Sequence, residues 1–429
     1  MNRAQKVVVA LLAVVALVGA ACGGGDEPET PSGTTGAAAD LSGTTITFST
    51  SLAESERPAV EEILGMFQDQ TGAKVNITAV TSADLPSKLK VEVDSNNHTI
   101  DLFAQDNLAL AVLVDDGLVE DLSDVELPDG INQALIPQEF DGVPYFLPYR
   151  PNVRVAYVNN GRFGEASVEP PTTVDEFIDV AGKLKAAAGG QPKVTLSLEE
   201  TSGAAGVTIS EWIVSYGGEP VILNDEGSVQ AFTTLQQLWQ DDLLARESLQ
   251  AKFDTEVDYL QGETAWLAQN WPFTSAELAD QGLLGEFTVY AGWSGPSRPA
   301  HVIGGEVLGI PKGVTGKERE GAVALAQFLM SKEAQEILVA KNAWPSVRDD
   351  ALTNVPEEQK STFDAIQTAL QDGWYRPNVT YWPDVDEAIN AAIQKIMVNG
   401  EPVQATLDQL HDQIASAAQS KGVEYPPTG

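Results

Sequence analysis

All eight tryptophans of the chain lie at or after position 212. Several stand where a strand-like run meets a turn: Asn270-Trp271-Pro272, Gly292-Trp293-Ser294 and Trp374-Tyr375-Arg376-Pro377. An indole at such a corner offers an apolar face to the C–H face of a sugar, while neighbouring Asp, Asn, Glu or Arg side chains bond its hydroxyls. That combination suits a polar, uncharged polyol. It suits a free metal ion poorly, because a metal needs converging oxygens or imidazoles. A mid-helix tryptophan such as Trp239 reads as core.

Other chemistries find little support. The 429 residues hold 25 Lys+Arg against 62 Asp+Glu, a formal charge of −37. Phosphate neutralisation needs clustered cations, so no nucleic-acid partner is expected. The single cysteine, Cys22, cannot make an internal disulfide or a thiolate zinc site. The three histidines, His98, His301 and His411, are too far apart in sequence for a His-rich metal site. No GxSxG nucleophile elbow, Walker A loop or strand-linked GxGxxG is present, and no cofactor is expected. Among so many carboxylates, a glycosidase pair converging in space stays open as a second reading.

Residues 1–22 read MNRAQKVVVALLAVVALVGAAC. A basic start, an apolar run from Val7 to Val18 and small residues before Cys22 form a secretory signal pattern. The run is short for a membrane span of ~20 residues. Cleavage would make Cys22 the first residue and remove two positive charges. Residues 23–42, GGGDEPETPSGTTGAAADLS, carry almost no large apolar side chain and are expected to form a flexible tether.

The elements that would position the candidate residues start at Thr44. Strands are expected at 44–50, 74–80 and in TIDLFAQ, with a helix within SLAESERPAVEEILGMFQDQTGA, Pro58 in its first turn and Gly72 at its stop, and another at 84–94 between them, which implies parallel pairing. A short helix over 107–116 follows. The turn-rich stretch FDGVPYFLPYRPN then leads into a strand at 153–158. Thr173-Val-Asp-Glu176 fits a capping box, and KVTLSL, ETAWLAQ, FTVYAGW and EVLGIP read as strands. Helices are expected at 208–216, 228–244 and 255–261, and they dominate beyond residue 317.

Together these segments resemble the bacterial extracellular solute-binding proteins of the carbohydrate type, which feed ABC importers. The resemblance runs from ITFSTSLAESERPAVEEILGMFQDQTGAKV through DLFAQD, DGLVEDLSD, DGVPYFLPYRPNVRVAYVNNGRF and PPTTVDEFIDVAGKL. It continues in GGEVLGIPKGV, AVALAQFLMSKEAQEILVAKNAWPSVRDD and RPNVTYWPDVDEAINAAIQKI. GETAWLAQNWPF is most similar to the trehalose/maltose-type binders.

The resemblance implies an α/β fold of two lobes, each a mostly parallel sheet flanked by helices, with a helix-rich C-terminal portion. It divides the chain into a signal peptide at 1–21, a lipidated Cys22 and tether at 22–42, lobe 1 at 43–150 plus 297–330, and lobe 2 at 151–296 plus 331–429. It implies a cargo of a neutral mono-, di- or oligosaccharide, held between the lobes without chemistry and handed to permease subunits. The protein is then a monomer, outside the cytoplasm and anchored to the cell membrane through Cys22. The lipidation pattern usually has Leu where this chain has Gly19.

Carried over residue by residue, the expected ligand contacts are Glu54 after the first strand, Asp106 at the end of DLFAQD, and Asn152 where the chain crosses between lobes. Trp271 is the stacking platform, with Asn270 beside it. Gly305 and Glu306 follow the Gly-Gly turn; relatives often carry an aromatic at the position of Glu306. Arg376 is a donor from the second lobe, with Trp374, Tyr149 and Tyr381 as further candidates. Asp101 reads as structural. A receptor of this fold for a non-sugar solute, and a secreted glycosidase or lyase, are the alternatives.

Overall fold

The computed structural model describes residues 40–52, 56–82 and 84–426. Cys22, the signal, the tether up to residue 39 and Glu54 lie outside the described residues. The first sheet begins with the β-branched run β1 (Thr45–Ser49), followed by β2 (Lys74–Thr78) and β3 (Leu102–Asp106). The helix Arg57–Thr71 joins β1 to β2, with Pro58 in its first turn, where a missing N–H costs nothing. It buries Val60, Ile63, Leu64 and Phe67, the face the spacing predicts.

Six further strands complete two sheets: β4 (Leu147–Val153), β5 (Val155–Asn159), β6 (Leu267–Asn270), β7 (Phe287–Tyr290), β8 (His301–Gly309) and β9 (Gly373–Trp374). The first sheet has the order β2-β1-β3-β8-β4, with β9 also on β8. The second has the order β6-β5-β7. The two-lobed α/β architecture is the expected one. Parallel pairing between the strands of the described residues, however, is confined to β2-β1-β3 and the short β8–β9 contact. Strand β8 runs antiparallel to β3 and β4, and β5 runs antiparallel to both neighbours. The reason is connectivity: β4 and β8 are not crossover strands within one sheet but strands entering and leaving it.

Three local expectations also change. LPYRPNV, expected as turn, is strand β4. It stands last in the sheet order, where prolines are tolerated because one backbone side needs no ladder partner. KVTLSL, expected as a strand, makes only isolated bridges from Val194 to Leu244 and Leu267. Its N–H groups are shared out: Leu196 donates to Ser248 Oγ at 3.2 Å and Leu198 to the Ser248 carbonyl at 3.1 Å. The capping box is also displaced. Thr173 Oγ1 accepts from Glu176 N, but the Glu176 carboxylate accepts from Thr172 N at 2.8 Å.

Two main cores result. One gathers Ile46, Phe48, Ile63, Phe67, Leu102 and Leu308 with Leu325, Leu338, Trp344 and Val347. The other gathers Val158, Phe177, Trp212, Phe232, Trp239, Trp266 and Tyr381 with Val385, Ile396 and Leu410. Five of the tryptophans, Trp212, Trp239, Trp266, Trp293 and Trp382, are spent in this second core. Arg154 sits between β4 and β5, where the chain leaves one sheet for the other, and is fully buried. Its Nη1 donates to Thr208 Oγ1 at 2.9 Å and Glu211 Oε2 at 2.8 Å, and Nη2 donates to the Gln269 carbonyl at 2.7 Å. Glu211 Oε1 accepts from Val302 N on β8 at 3.1 Å. One ion pair therefore ties both crossing strands to the helix Ala204–Ser215.

Candidate functional site

Register places the polar residues of the first lobe. Asp106 ends β3 opposite Glu306 on β8. On the other side of β8, Arg150 stands opposite Glu306, Pro151 opposite Gly305 and Asn152 opposite Gly304. The register shifts between Pro148 and Arg150, so Tyr149 is the extra residue. The bulge lets Tyr149 go into the core against Phe48 and Trp344 while Arg150 reaches the cleft.

The Gly-Gly turn is a packing requirement. Gly305 has φ +98°, and a Cβ there would come within 1.9 Å of the Arg150 carbonyl oxygen. A Cβ on Gly304 would come within 2.6 Å of Trp271 Cη2. The buried Asn107 holds this stretch by donating from Nδ2 to the carbonyls of Ile303 at 3.2 Å and Gly304 at 3.1 Å.

The opposite wall comes from the second lobe. Trp271 follows β6 and is only 8% exposed, with Phe253 edge-on at 5.5 Å. Its N–H donates to Asn270 Oδ1 at 2.9 Å, and its carbonyl accepts from the Tyr157 hydroxyl at 3.2 Å. Arg376 is 7% exposed and stacks on Trp382 at 4.0 Å. Burial pushes its pKa down to about 10, opposed by the charges of Asp386 and Asp106. Burial pushes the Asp386 carboxyl up, with Arg376 opposing. Burial likewise pushes Glu306 up, with Arg150 opposing and Asp106 and Glu56 adding to the rise. The site thus alternates carboxylates and guanidiniums in a poorly solvated space, where hydrogen bonds to a ligand are strengthened.

These walls enclose a cavity of about 630 Å³. Of the residues expected from sequence, Asp106, Asn152, Trp271, Gly305, Glu306 and Arg376 line it together. Asn270 stands behind the cavity: besides the bond to Trp271, its Nδ2 donates to the Phe253 carbonyl at 2.7 Å. Tyr149 and Tyr381 are core residues. Trp374 packs behind Trp271 with Val207 and Val302. Asp101 ties the sheet together, accepting from Thr47 N at 2.7 Å.

Sequence reasoning missed Arg150, Asp386, Phe253 and the Ser202-Gly203 turn, all of which line the cavity. Arg150 stood next to a chosen residue, and a strand assignment for LPYRPNV would have turned it inward. Asp386 lies within an ordinary helical pattern and carried no signal. An adjoining cavity of about 440 Å³ shares Arg150 and Asn152 with the first. Among the described residues, no group of three or more His, Cys, Asp or Glu is placed to hold a metal ion. No helix among them is long and apolar enough to cross a membrane.

The model of a family described as bacterial extracellular solute-binding protein matches residues 62–365. No curated protein matches the chain in sequence. Solved structures are similar throughout the body. Maltose-bound MalE3 of T. maritima superposes with a TM-score of 0.73 at 17% identity, covering 87% of this chain and 99% of that one. The GacH receptor of Streptomyces glaucescens, solved unliganded and with acarbose, gives 0.72 at 16% identity, covering 89% and 99%. UgpB from Mycobacterium tuberculosis, in complex with glycerophosphocholine, gives 0.72 at 16% identity, covering 88% and 99%.

Proposed function

Because the chain belongs to the bacterial extracellular solute-binding protein family, we propose that it is the substrate receptor of an ABC importer and captures a neutral di- or oligosaccharide between its lobes. The observation that carries this reading is the cavity itself. Both lobes line it, and it pairs Trp271 and Phe253 with Asp106, Glu306, Asp386, Arg150 and Arg376. Apolar ring faces beside convergent donors and acceptors match the two sides of a pyranose. Similar structures carrying maltose and acarbose support the same ligand class.

The receptor does no chemistry on its cargo. Closure of the lobes around the sugar is the signal read by the permease. We further propose that Cys22 is lipidated and that residues 23–42 hold the monomeric body off the membrane. Intact mass of the protein extracted from membranes tests the anchor: a diacylglycerol on Cys22 is expected, and its absence rules the anchor out.

A second reading keeps the fold and changes the solute, as in the glycerophosphocholine complex of a similar structure. The lining disfavours it, because its three carboxylates, Asp106, Glu306 and Asp386, outnumber its two guanidiniums, Arg150 and Arg376. Calorimetry against a panel of neutral saccharides, sugar phosphates, glycerophosphodiesters and polyamines decides the matter. Saturable binding of a neutral saccharide without turnover is expected. Tight binding of a charged solute alone, or release of shorter sugars, overturns the reading.

A further inference from the structure

The space beside Trp271 and Glu306 has a neighbour along β4. The second cavity, of about 440 Å³, lies against the same two residues, Arg150 and Asn152. Each cavity alone falls within the ~300–1,000 Å³ typical of small-ligand pockets. The far one is also built by both lobes. Phe273 and Ala276 come from the helix Phe273–Asp280, and Asn342 and Trp344 follow from the helix Lys332–Asn342 and the turn after it. Aromatic surface beside polar groups recurs there, as in the near cavity.

Arg150 marks the divide. Its guanidinium stacks on Trp344 at 4.0 Å. Its Nη1 stands 3.4 Å from Glu56 Oε1 and 3.9 Å from Glu306 Oε2. Glu56 lines the far cavity and Glu306 the near one. A planar fork of five N–H donors is thus pinned at the junction by one carboxylate from each side. A solute that occupies both spaces must pass along Arg150 and Asn152.

A hexose ring displaces on the order of six waters, or about 180 Å³ at ~30 Å³ each. By volume alone the near cavity, at about 630 Å³, has room for two to three rings with bridging waters, and the far cavity, at about 440 Å³, for at least one more. Resting on the saccharide reading above, we propose that the cargo is an oligosaccharide of three or more rings. It threads past Arg150 and Asn152 and seats its end in the chamber walled by Phe273, Ala276 and Trp344. The near chamber fixes the class of sugar, and the far chamber selects for length.

The test is calorimetry with neutral saccharides of one to six rings, on the wild-type protein and on Ala276→Trp, which fills the far chamber and leaves the near one untouched. The wild type is expected to bind a saccharide of three or more rings at least about tenfold tighter than the matching disaccharide. Ala276→Trp is expected to bring the longer saccharide down to the disaccharide's affinity and to leave the disaccharide unchanged, which also certifies its fold. If it loses both ligands, the smaller fill Ala276→Leu decides, with loss expected for the longer ligand alone. Equal affinity at every length, untouched by either variant, overturns this inference and leaves the sugar receptor standing. Failure to bind any saccharide overturns the receptor reading and this inference with it.

Discussion

Trp271 is held from three directions: Phe253 on its edge, Asn270 and Tyr157 on its backbone, and the bare Cα of Gly304 against its ring. So covered a side chain supports the fold as well as the ligand. Truncating a buried tryptophan to alanine typically costs about 3–5 kcal/mol of stability. Trp271→Ala is therefore expected to lower the unfolding midpoint in urea together with sugar affinity, and alone it separates nothing. Trp271→Phe keeps an aromatic beside Phe253 but shortens its reach toward the cavity. Its expected signature is a stability loss below about 2 kcal/mol with affinity about tenfold weaker. A Phe variant with unchanged affinity, measured by calorimetry, removes Trp271 from the binding surface.

Among elements, the helix Phe253–Gln261 carries an informative acid. Glu256 is fully buried in its first turn and accepts from Thr195 Oγ1 at 2.9 Å, tying the helix to the KVTLSL segment. Burial pushes its pKa from 4.5 up to about 7, with Thr195 and Arg154 opposing. An acid raised in the folded state holds its proton there while the unfolded chain has released it. Its contribution to stability is full below about pH 4.5 and is lost as pH rises through about 7. His301, also buried, is pushed from 6.5 down to about 4, so its contribution is present above about pH 6.5 and lost as pH falls toward 4. The two oppose each other in the wild type between those limits. Glu256→Gln removes only the acid's part. Its unfolding free energy relative to wild type, from urea titration, is expected to improve from about pH 5 to about pH 8, by on the order of 1–3 kcal/mol. A difference that stays flat with pH would show that Glu256 titrates normally. The helix–strand pairs here were legible because period and punctuation agreed, as in the Pro58 start and buried stripe of Arg57–Thr71. What was not legible depended on distant partners. Neither the edge position that admits Pro148 and Pro151 in β4 nor the turn of Ser248 that draws off the KVTLSL amides is encoded locally. The same limit applies to the lobe boundary. The resemblance puts residues 331–429 in the second lobe, yet Ala334, Leu338, Trp344 and Val347 pack in the core of β1 and β3. Arg348 bridges to Ile131, and Thr353 Oγ1 donates to Glu336 Oε1 at 3.0 Å, so we propose that the last crossing follows Asn354.

At the scale of the whole molecule, a chain of formal charge −37 carries a cavity lined by three carboxylates and two guanidiniums. Such a field repels an anion at long range and leaves a neutral solute unaffected. Salt separates the two cases, because the screening length falls from about 30 Å at ~0.01 M to about 3 Å at ~1 M. If the cargo is a neutral oligosaccharide, its affinity is expected to stay within about twofold across that range. A sugar phosphate offered in competition is expected to bind weakly at low salt and to gain as salt is added, because repulsion is screened. A cationic solute would show the opposite slope, losing affinity as its attraction is screened. Calorimetric titration at the two salt concentrations reads the sign directly. A loss of tenfold or more for the physiological ligand on raising salt would mean that the acidic field recruits the cargo rather than filtering it. In that case Asp106, Glu306 and Asp386 would be counter-ions to a positive group and not hydrogen-bond acceptors for sugar hydroxyls.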